Sequence, residues 1–353
     1  MRAMVLKAVG SLKDNPAPLE MVELPDPEPA HGEVLIRVNV CGVCHTELDE
    51  IEGRTPPPHL PIILGHQVIG KVTALGAGVS EIKVGDRVGV AWIYSACGEC
   101  EYCKNGEENL CKQFQATGRD ANGGYAELMA APAAFVHPIP DVFTDAQAAP
   151  LLCAGAVGYR ALRLTGIIDG QNLGLTGFGA SAHIVLKLVR HRYPNSKIYV
   201  FARDEAARSF ALELGAAWAG DTTDHAPQKL HAIIDTTPAW MPIVEAMENL
   251  EPGGRLVINA IRKEDADKAA LLKLDYSTHL WLEKEIKSVA NVTRTDVREF
   301  LKLAAEIPLI SEFQEYELKD ANQALDDMKT KNIRGAKVLL CEALSNNANA
   351  ARL

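Results

Sequence analysis

The chain has 353 residues, of which 47% are hydrophobic and 23% are charged, an ordinary composition for a globular protein of about two domains. Its formal net charge of -10 argues against non-specific binding to nucleic acid or to anionic membranes, because phosphate affinity depends on clustered lysine and arginine. Met1–Leu6 lacks an apolar signal segment, and no apolar run approaches the roughly 18 residues that span a bilayer, so we expect a soluble cytoplasmic protein.

The first 150 residues predict an all-β, barrel-like domain. Apolar residues alternate along Glu33–Val40, which predicts a strand with one buried face. Val68–Val72 and Val84–Val88 have the same texture and are also predicted to be strands. Short strands broken by Gly and Pro are typical of barrels.

From residue 151 onward, predicted strands alternate with predicted helices. The helices are expected at 154–164, 205–214 and 242–250, and the strands at 171–176, 198–201, 232–235 and 255–258. This alternation indicates βαβ units and a doubly wound parallel sheet over 151–290. From about Asn291 the pattern loosens, and two helices (296–306 and 319–329) and a strand (337–341) are predicted to return to the first domain. The predicted fold class is α/β, with domains at 1–150 plus 291–353 and at 151–290.

The motif Gly177-x-Gly179-x-x-Ala182 lies between a predicted strand and a predicted helix. In that context it predicts a dinucleotide-binding turn, where small residues let the backbone approach a pyrophosphate at the helix N-terminus. The alternative is a strand-helix turn with only a structural role.

The end of the next predicted strand bears on the choice of coenzyme. An acidic residue there binds the 2′-OH of NAD, whereas an arginine accommodates the 2′-phosphate of NADP. This chain has Ala202 followed by Arg203, and Asp204 comes two residues late. The sequence therefore favours NADP, with NAD as the alternative if Arg203 is only a solvated surface charge.

Four cysteines are clustered in the segment 95–113, at positions 97, 100, 103 and 111. Four thiolates close a tetrahedral zinc shell with no open position, which indicates a structural zinc site at Cys97, Cys100, Cys103 and Cys111. In a cytoplasmic chain such clustering favours a metal over disulfides.

A second metal site is predicted around Cys44 and His66, a thiolate and an imidazole of the kind that zinc favours. Catalytic zinc usually takes three protein ligands, and Cys153 is the best candidate for the third. Taken alone, Cys153 is better interpreted as a buried apolar cysteine; together with Cys44 and a nucleotide-binding fold, the zinc interpretation is favoured. Between the first two ligands lie groups able to move a proton: Thr46, Glu47 and Asp49.

In these motifs the chain resembles the zinc-dependent medium-chain alcohol dehydrogenases over essentially its whole length. The residues that carry the resemblance are Gly42-Val43-Cys44-His45-Thr46, Gly65-His66, the four-cysteine lobe, Cys153-Ala154-Gly155, Tyr159-Arg160-Ala161-Leu162 and Gly177–Ala182. The resemblance implies a GroES-like catalytic domain beside a Rossmann domain, two zinc ions per chain and a homodimer or homotetramer. It also implies interconversion of a primary alcohol and its aldehyde with NAD(P).

The resemblance implies roles for individual residues. Cys44, His66 and Cys153 would hold a zinc ion that acts as a Lewis acid on the alcohol. Thr46 would pass on the alcohol proton, and His45 would lie near the coenzyme pyrophosphate. Trp92 would form a wall of the substrate pocket, although a place in the barrel core is equally expected.

The chain also departs from the family pattern. The family usually has Glu after the zinc histidine, where this chain has Gln67, which lacks the negative charge. Some members end the proton relay with a histidine at the position of Asp49. The basic residue that contacts the coenzyme phosphates near the C-terminus is assigned to Arg334, with Lys337 as a competitor.

Other functions are compatible with parts of the sequence. A zinc-dependent polyol or sugar dehydrogenase is the nearest enzymatic alternative, although such enzymes often replace the last zinc cysteine by a carboxylate. The four-cysteine lobe disfavours a zinc-free quinone reductase, and the acidic balance disfavours a zinc-ribbon nucleic-acid binder. Gln67 and Asp49 leave open a non-catalytic nucleotide-binding sensor or structural module.

Overall fold

The computed structural model of the chain describes residues 1–307, 309–310, 312–330 and 335–341. The chain divides into two compact units: Met1–Cys153 with the described residues from Thr293 onward, and Ala154–Val292. The assignment of these units as a catalytic domain and a dinucleotide-binding domain stays a prediction.

The first part of the first unit is rich in short strands. They are β1 (Arg2–Leu6), β2 (Leu19–Glu23), β3 (Glu33–Val43), β4 (Ile62–Ile63), β5 (Val68–Leu75), β6 (Arg87–Val90), β7 (Ile93–Ser95), β8 (Gln115–Ala116), β9 (Leu128–Pro132) and β10 (Val136–Pro138). The helices are α1 (His45–Ile51), α2 (Glu101–Lys104) and α3 (Asp145–Ala148), with 3-10 turns at Glu108–Leu110, Ala133–Phe135 and Ala149–Leu152.

Strand β3 is central to this unit. Val34, Ile36 and Val38 are buried while Arg37 is exposed, which confirms the alternation predicted for this strand. On either side β3 pairs antiparallel with β5 and β9, and β5 pairs in turn with β6. The buried face of β3 belongs to the main hydrophobic core of the unit.

The strand predicted at Val84–Val88 is wrong in its first half. Val84 and Gly85 lie in a turn, and strand β6 begins at Arg87. Gly85 has a φ of 95°, in the region that favours glycine, so the chain reverses here before it can enter the sheet.

The second unit contains helices α4 (Ala154–Thr165), α5 (Ala180–Arg192), α6 (Glu205–Glu213) and α7 (Met241–Glu248). Its strands are β11 (Leu173–Thr176), β12 (Ile198–Phe201), β13 (Trp218–Gly220), β14 (Leu230–Asp235), β15 (Leu250–Ile258) and β16 (Glu285–Ser288). Between β15 and β16 the chain forms a 3-10 turn at Lys268–Lys273 and a π-turn at Tyr276–Leu280.

The strands of this sheet are parallel, in the order β13-β12-β11-β14-β15-β16. The order reverses between β11 and β14, which is the doubly wound arrangement of dinucleotide-binding sheets, so the predicted α/β class is confirmed. In such sheets ligands bind beyond the carboxyl ends of the strands at the point of reversal. Thr176 and Asp235 end the two strands that meet there.

The chain then returns to the first unit through α8 (Arg294–Glu306), β17 (Phe313–Glu317), a 3-10 turn (Leu318–Asp320), α9 (Ala321–Thr330) and β18 (Ala336–Leu340). Strand β18 pairs parallel with β17 and antiparallel with β3. The main sheet of the unit therefore runs β10-β6-β5-β3-β18-β17 among the described residues, with β9 also paired to β3. The C-terminal segment therefore contributes two strands to the main sheet of the first unit.

Candidate active site

Three residues from separate parts of the first unit bring their metal-binding atoms together. Cys44 precedes α1, His66 lies between β4 and β5, and Cys153 follows the 3-10 turn Ala149–Leu152. The Cys and His ligand atoms all lie within 4.8 Å of one another, and the sulfurs of Cys44 and Cys153 are 3.9 Å apart. This is the set predicted from the sequence.

The donor set fits a zinc ion. Two sulfurs bound tetrahedrally at about 2.3 Å from zinc lie about 3.8 Å apart, close to the separation found between Cys44 and Cys153. His66 is 1% exposed, and its Nε2 is buried without a hydrogen-bond partner among the described residues. A buried imidazole nitrogen without a partner is costly, and a metal ion would satisfy it. Three protein ligands leave the fourth position open for a substrate.

Glu47 completes this arrangement; the sequence analysis named it only as a group able to move a proton and did not predict its contact with His66. Its Oε1 lies 2.6 Å from Nδ1 of His66, and its Oε2 accepts the backbone N–H of Cys44 at 2.8 Å. A carboxylate on the second nitrogen of a metal-binding histidine fixes the ring and makes it a stronger ligand. The spacing Cys44-x-x-Glu47 resembles a helix capping box, a signal that could have identified Glu47.

The charges around His66 are strongly coupled. The hydrogen bond with the Cys153 thiol, followed by His66, holds the pKa of Cys44 well below its usual value. Burial alone would lower the pKa of His66, but the Glu47 carboxylate and Cys44 outweigh it and raise that pKa. The site without metal therefore favours a thiolate beside an imidazolium, and a metal ion would displace the proton.

The other predicted residues of this region lie on or near α1. Thr46 is buried, with its Oγ1 3.6 Å from the Cys44 sulfur, whereas His45 is exposed. Asp49 is 3% exposed and forms an ion pair with Arg54. The carboxylate proposed for the proton relay is therefore already engaged by Arg54.

Trp92 stacks on Phe114, with ring centroids 4.9 Å apart, and its indole N–H is buried without a partner among the described residues. Gln67 is 4% exposed, and Lys337, on β18, is 3% exposed. Arg334 lies outside the described residues.

The four cysteines of the lobe 95–113 also come together. Their ligand atoms lie within 4.8 Å of one another, with the Cys97 sulfur 3.8 Å from that of Cys103 and 3.5 Å from that of Cys111. The backbone N–H groups of Glu99 and Cys100 lower the pKa of Cys97 to about 6. The described cysteines form no disulfide, and the lobe has the donors of a closed tetrahedral metal site.

The glycine motif lies between β11 and α5, as predicted. Gly177 has a φ of 74°, and a Cβ there would lie 2.9 Å from both Thr236 Oγ1 and Thr237 Cγ2, so this position requires glycine. Gly179 precedes α5, and a Cβ on it would meet open space. The first N–H groups of α5 therefore face a space in which an anion would fit.

A second arginine, which the sequence analysis missed, reaches the end of β12 from helix α6. Ala202 is 5% exposed, Arg203 is exposed, and Asp204 caps α6 by accepting the N–H of Ala206. Arg208, on α6, donates to the carbonyls of Ala202 at 2.7 Å and Arg203 at 2.9 Å. Two guanidinium groups therefore lie at this strand end, although Arg208 is also 3.9 Å from Asp221.

Comparison with known proteins decides the family. Residues 30–141 match the alcohol dehydrogenase GroES-like domain. The chain is 43% identical over 328 residues to a probable alcohol dehydrogenase, AdhA, of Mycobacterium tuberculosis, which covers 92% of this chain and 93% of the relative. The chain belongs to the zinc-type medium-chain alcohol dehydrogenase family.

Two further similar proteins are less identical to this chain than AdhA. An alcohol dehydrogenase of Geobacillus stearothermophilus is 35% identical, over 91% of this chain and 95% of the relative. The solved structure of a cinnamyl alcohol dehydrogenase from Sorghum bicolor superposes with a TM-score of 0.78 at 25% identity, covering 96% of this chain and 98% of that one. The predicted family and its two-part fold are therefore confirmed. Among the described residues, no helix has the length and apolar character needed to cross a membrane.

Proposed function

We propose that this dehydrogenase interconverts a primary alcohol and its aldehyde, using a catalytic zinc ion at Cys44, His66 and Cys153 and preferring NADP(H) to NAD(H). A second zinc ion would occupy the four-cysteine lobe. The observation that carries the proposal is the convergence of the three ligand atoms within 4.8 Å of one another, with Glu47 against the imidazole. The family supports the reaction type, since its named relatives are alcohol dehydrogenases.

Zinc bound there would supply Lewis acidity to the alcohol oxygen, and the nicotinamide would carry the hydride. The protein's part is to hold these groups and to move one proton. Thr46 Oγ1, buried and next to the Cys44 sulfur, is our candidate to accept the alcohol proton. Asp49, already paired with Arg54, would then be the next acceptor; the alternative is that the proton reaches water after the coenzyme ribose.

The remaining roles follow from the same proposal. Gly177, Gly179 and Ala182 would admit the coenzyme pyrophosphate to the N-terminus of α5, and His45 and Arg334 stay our proposed basic coenzyme-binding residues. Trp92 would border the substrate. The proposed ligands of the structural zinc are Cys97, Cys100, Cys103 and Cys111, whose spacing and mutual distances support a closed site.

A preference for NADP(H) is supported by the charges at the end of β12. Ala202 provides no carboxylate to repel a 2′-phosphate, and the exposed Arg203 and the backbone-bound Arg208 provide positive charge. We expect kcat/KM for NADPH to exceed that for NADH with a reactive aromatic aldehyde. Ala202→Asp should reverse this preference by more than about tenfold, because juxtaposed like charges cost several kcal/mol. An unchanged preference in that variant would mean that the strand end does not read the phosphate.

We also propose a homodimer or homotetramer. Strand β16 is at the edge of its sheet and all four of its residues are exposed. Beside it, Tyr276, Trp281 and Leu282 are 64%, 55% and 51% exposed. An exposed edge strand with apolar neighbours is a ready template for pairing with a second chain. Light scattering on the purified protein would test this, and a monomer at micromolar concentration would contradict it.

The zinc assignment is tested with Cys153→Ser. This variant should lose one zinc per chain and nearly all turnover while the lobe keeps its zinc, because a serine hydroxyl is a poor zinc ligand. Metal content and far-UV circular dichroism would be measured with activity. A variant that keeps two zinc ions and full activity would contradict the assignment of Cys153 as a zinc ligand.

A further inference from the structure

A second carboxylate of α1 is buried next to the proposed catalytic metal site. Glu50 lies one helical turn after Glu47, on the same face of the helix, and is 1% exposed. Both of its carboxylate oxygens are buried, and neither has a hydrogen-bond partner among the described residues. Glu47, by contrast, is held by His66 and by the N–H of Cys44.

An unpartnered carboxylate in a protein interior is costly, because no hydrogen-bond donor replaces its hydration, and burial raises the pKa of Glu50 well above its usual value. The charged groups that act most strongly on Glu50 are Glu47, His66 and Cys44, followed by Arg119. Arg119 already donates to Asp120 at 3.0 Å and is one-third exposed, so it offers only a shared and screened counter-charge. Without metal, the other positive group is the protonated His66. A metal ion at the three ligands would displace that proton and provide the positive charge in its place.

Resting on the proposed function, we propose that Glu50 is a positioning residue of the metal site, whose negative charge increases the affinity of Cys44, His66 and Cys153 for zinc. Glu50 would act through its charge and not as a ligand, since it is not among the residues whose donor atoms converge within 4.8 Å. It also offers a physical account of Gln67. The residue after the zinc histidine lacks a charge in this chain, and a carboxylate from α1 provides one nearby.

The substitution Glu50→Gln keeps the shape of the side chain and removes its charge. If the charge of Glu50 stabilises bound zinc, its removal should weaken zinc binding without destabilising the zinc-free protein. The affinity of the catalytic site for zinc should fall about 10- to 100-fold, the range found when groups around metal ligands are removed. The protein stripped of this zinc should unfold at the same or a higher temperature than the parent, because an uncompensated buried charge is gone.

The matched control is Glu52→Gln, just after α1. Glu52 pairs with Arg54 and Lys329 and is not one of the groups that chiefly set the pKa of His66. The four-cysteine lobe provides an internal reference, since its zinc should be retained equally in all three proteins. Zinc-buffered dialysis followed by metal analysis gives the free zinc concentration at which the catalytic site is half filled. Cobalt absorption from the thiolate ligands gives an independent measure.

A rise in that concentration in Glu50→Gln but not in Glu52→Gln, without a lower unfolding temperature of the stripped protein, would support the proposal. Zinc affinity within twofold of the parent would overturn it, and so would a stripped Glu50→Gln protein that unfolds earlier than the stripped parent, since that would reveal a structural role. If the parent itself holds no metal at Cys44, His66 and Cys153, the proposed function fails together with this inference.

Discussion

Glu47→Gln tests whether the carboxylate against His66 supports the metal site. Glu47 is fully buried, and its two oxygens contact Nδ1 of His66 at 2.6 Å and the N–H of Cys44 at 2.8 Å. A hydrogen bond to a charged group contributes about 1.5–3 kcal/mol, which corresponds to about a 10- to 150-fold change in an equilibrium constant. Glutamine can still accept from Cys44, but it brings a neutral amide to the imidazole. We therefore expect zinc affinity at the catalytic site to fall about 10- to 100-fold.

The assay is the same zinc-buffered titration, with the lobe zinc as the internal reference. The matched control is Asp296→Asn, because Asp296 caps α8 in the same way, accepting the N–H of Thr293 at 3.0 Å, and is not one of the residues whose ligand atoms converge. Both variants should lose some stability through the weakened cap, of the order of 1 kcal/mol. Only Glu47→Gln should lose zinc. Equal zinc affinity in the two variants would refute the reasoning, since the carboxylate would then serve the helix alone.

Two further predictions concern stability. Burial, and then Arg298 and Arg294, lower the pKa of His137 to about 3, so between about pH 6.5 and pH 3 only the unfolded chain takes up this proton. The free energy of unfolding should therefore fall as the pH drops below about 6.5, by about 1.4 kcal/mol for each pH unit. His137→Gln should remove this part of the pH dependence, measured by urea unfolding at pH 7 and 5.5. An equal loss of unfolding free energy between the two pH values in both proteins would contradict the prediction. Lys263→Met should cost about 3 kcal/mol in the same assay, because Lys263 is the ion-pair partner of the fully buried Asp235, and adding Asp235→Asn should recover most of the loss. A single variant as stable as the parent would show that the threonines around Asp235 suffice.

The sequence predicted most of the fold because its signals are local. The period-two alternation of β3 and the helices and strands of the second unit depend on neighbouring residues, and their positions are confirmed to within a few residues. The error at Val84–Val88 has a local cause that is harder to see, since an apolar residue before Gly85 can belong to a strand or to a turn. The βαβ pattern predicted a parallel sheet but not its order β13-β12-β11-β14-β15-β16, because pairing joins residues far apart in the chain.

The two metal sites show the same difference. The lobe brings together four cysteines within 15 residues, so their spacing alone predicts a site. Cys44, His66 and Cys153 come from three separate segments, so their set was proposed from ligand chemistry and the family resemblance, and no spacing predicted that they meet. Glu47 and Glu50 look like ordinary helix acids in the sequence. Both are buried, Glu47 contacts His66, and the oxygens of Glu50 have no hydrogen-bond partner among the described residues. These properties depend on how α1 packs.

The end of β12 shows why coenzyme preference is the hardest property to derive from sequence. The position of Arg203 follows from the strand, but Arg208 reaches back from α6 to the carbonyls of Ala202 and Arg203, and no spacing rule anticipates that contact. Its guanidinium is held by these bonds and faces Asp221 only at 3.9 Å, so part of its charge remains at the strand end. Two arginines therefore have to be considered when the preference is measured. Replacing Arg203 alone would leave positive charge in place, which is why Ala202→Asp, which introduces a repelling carboxylate, is the sharper test.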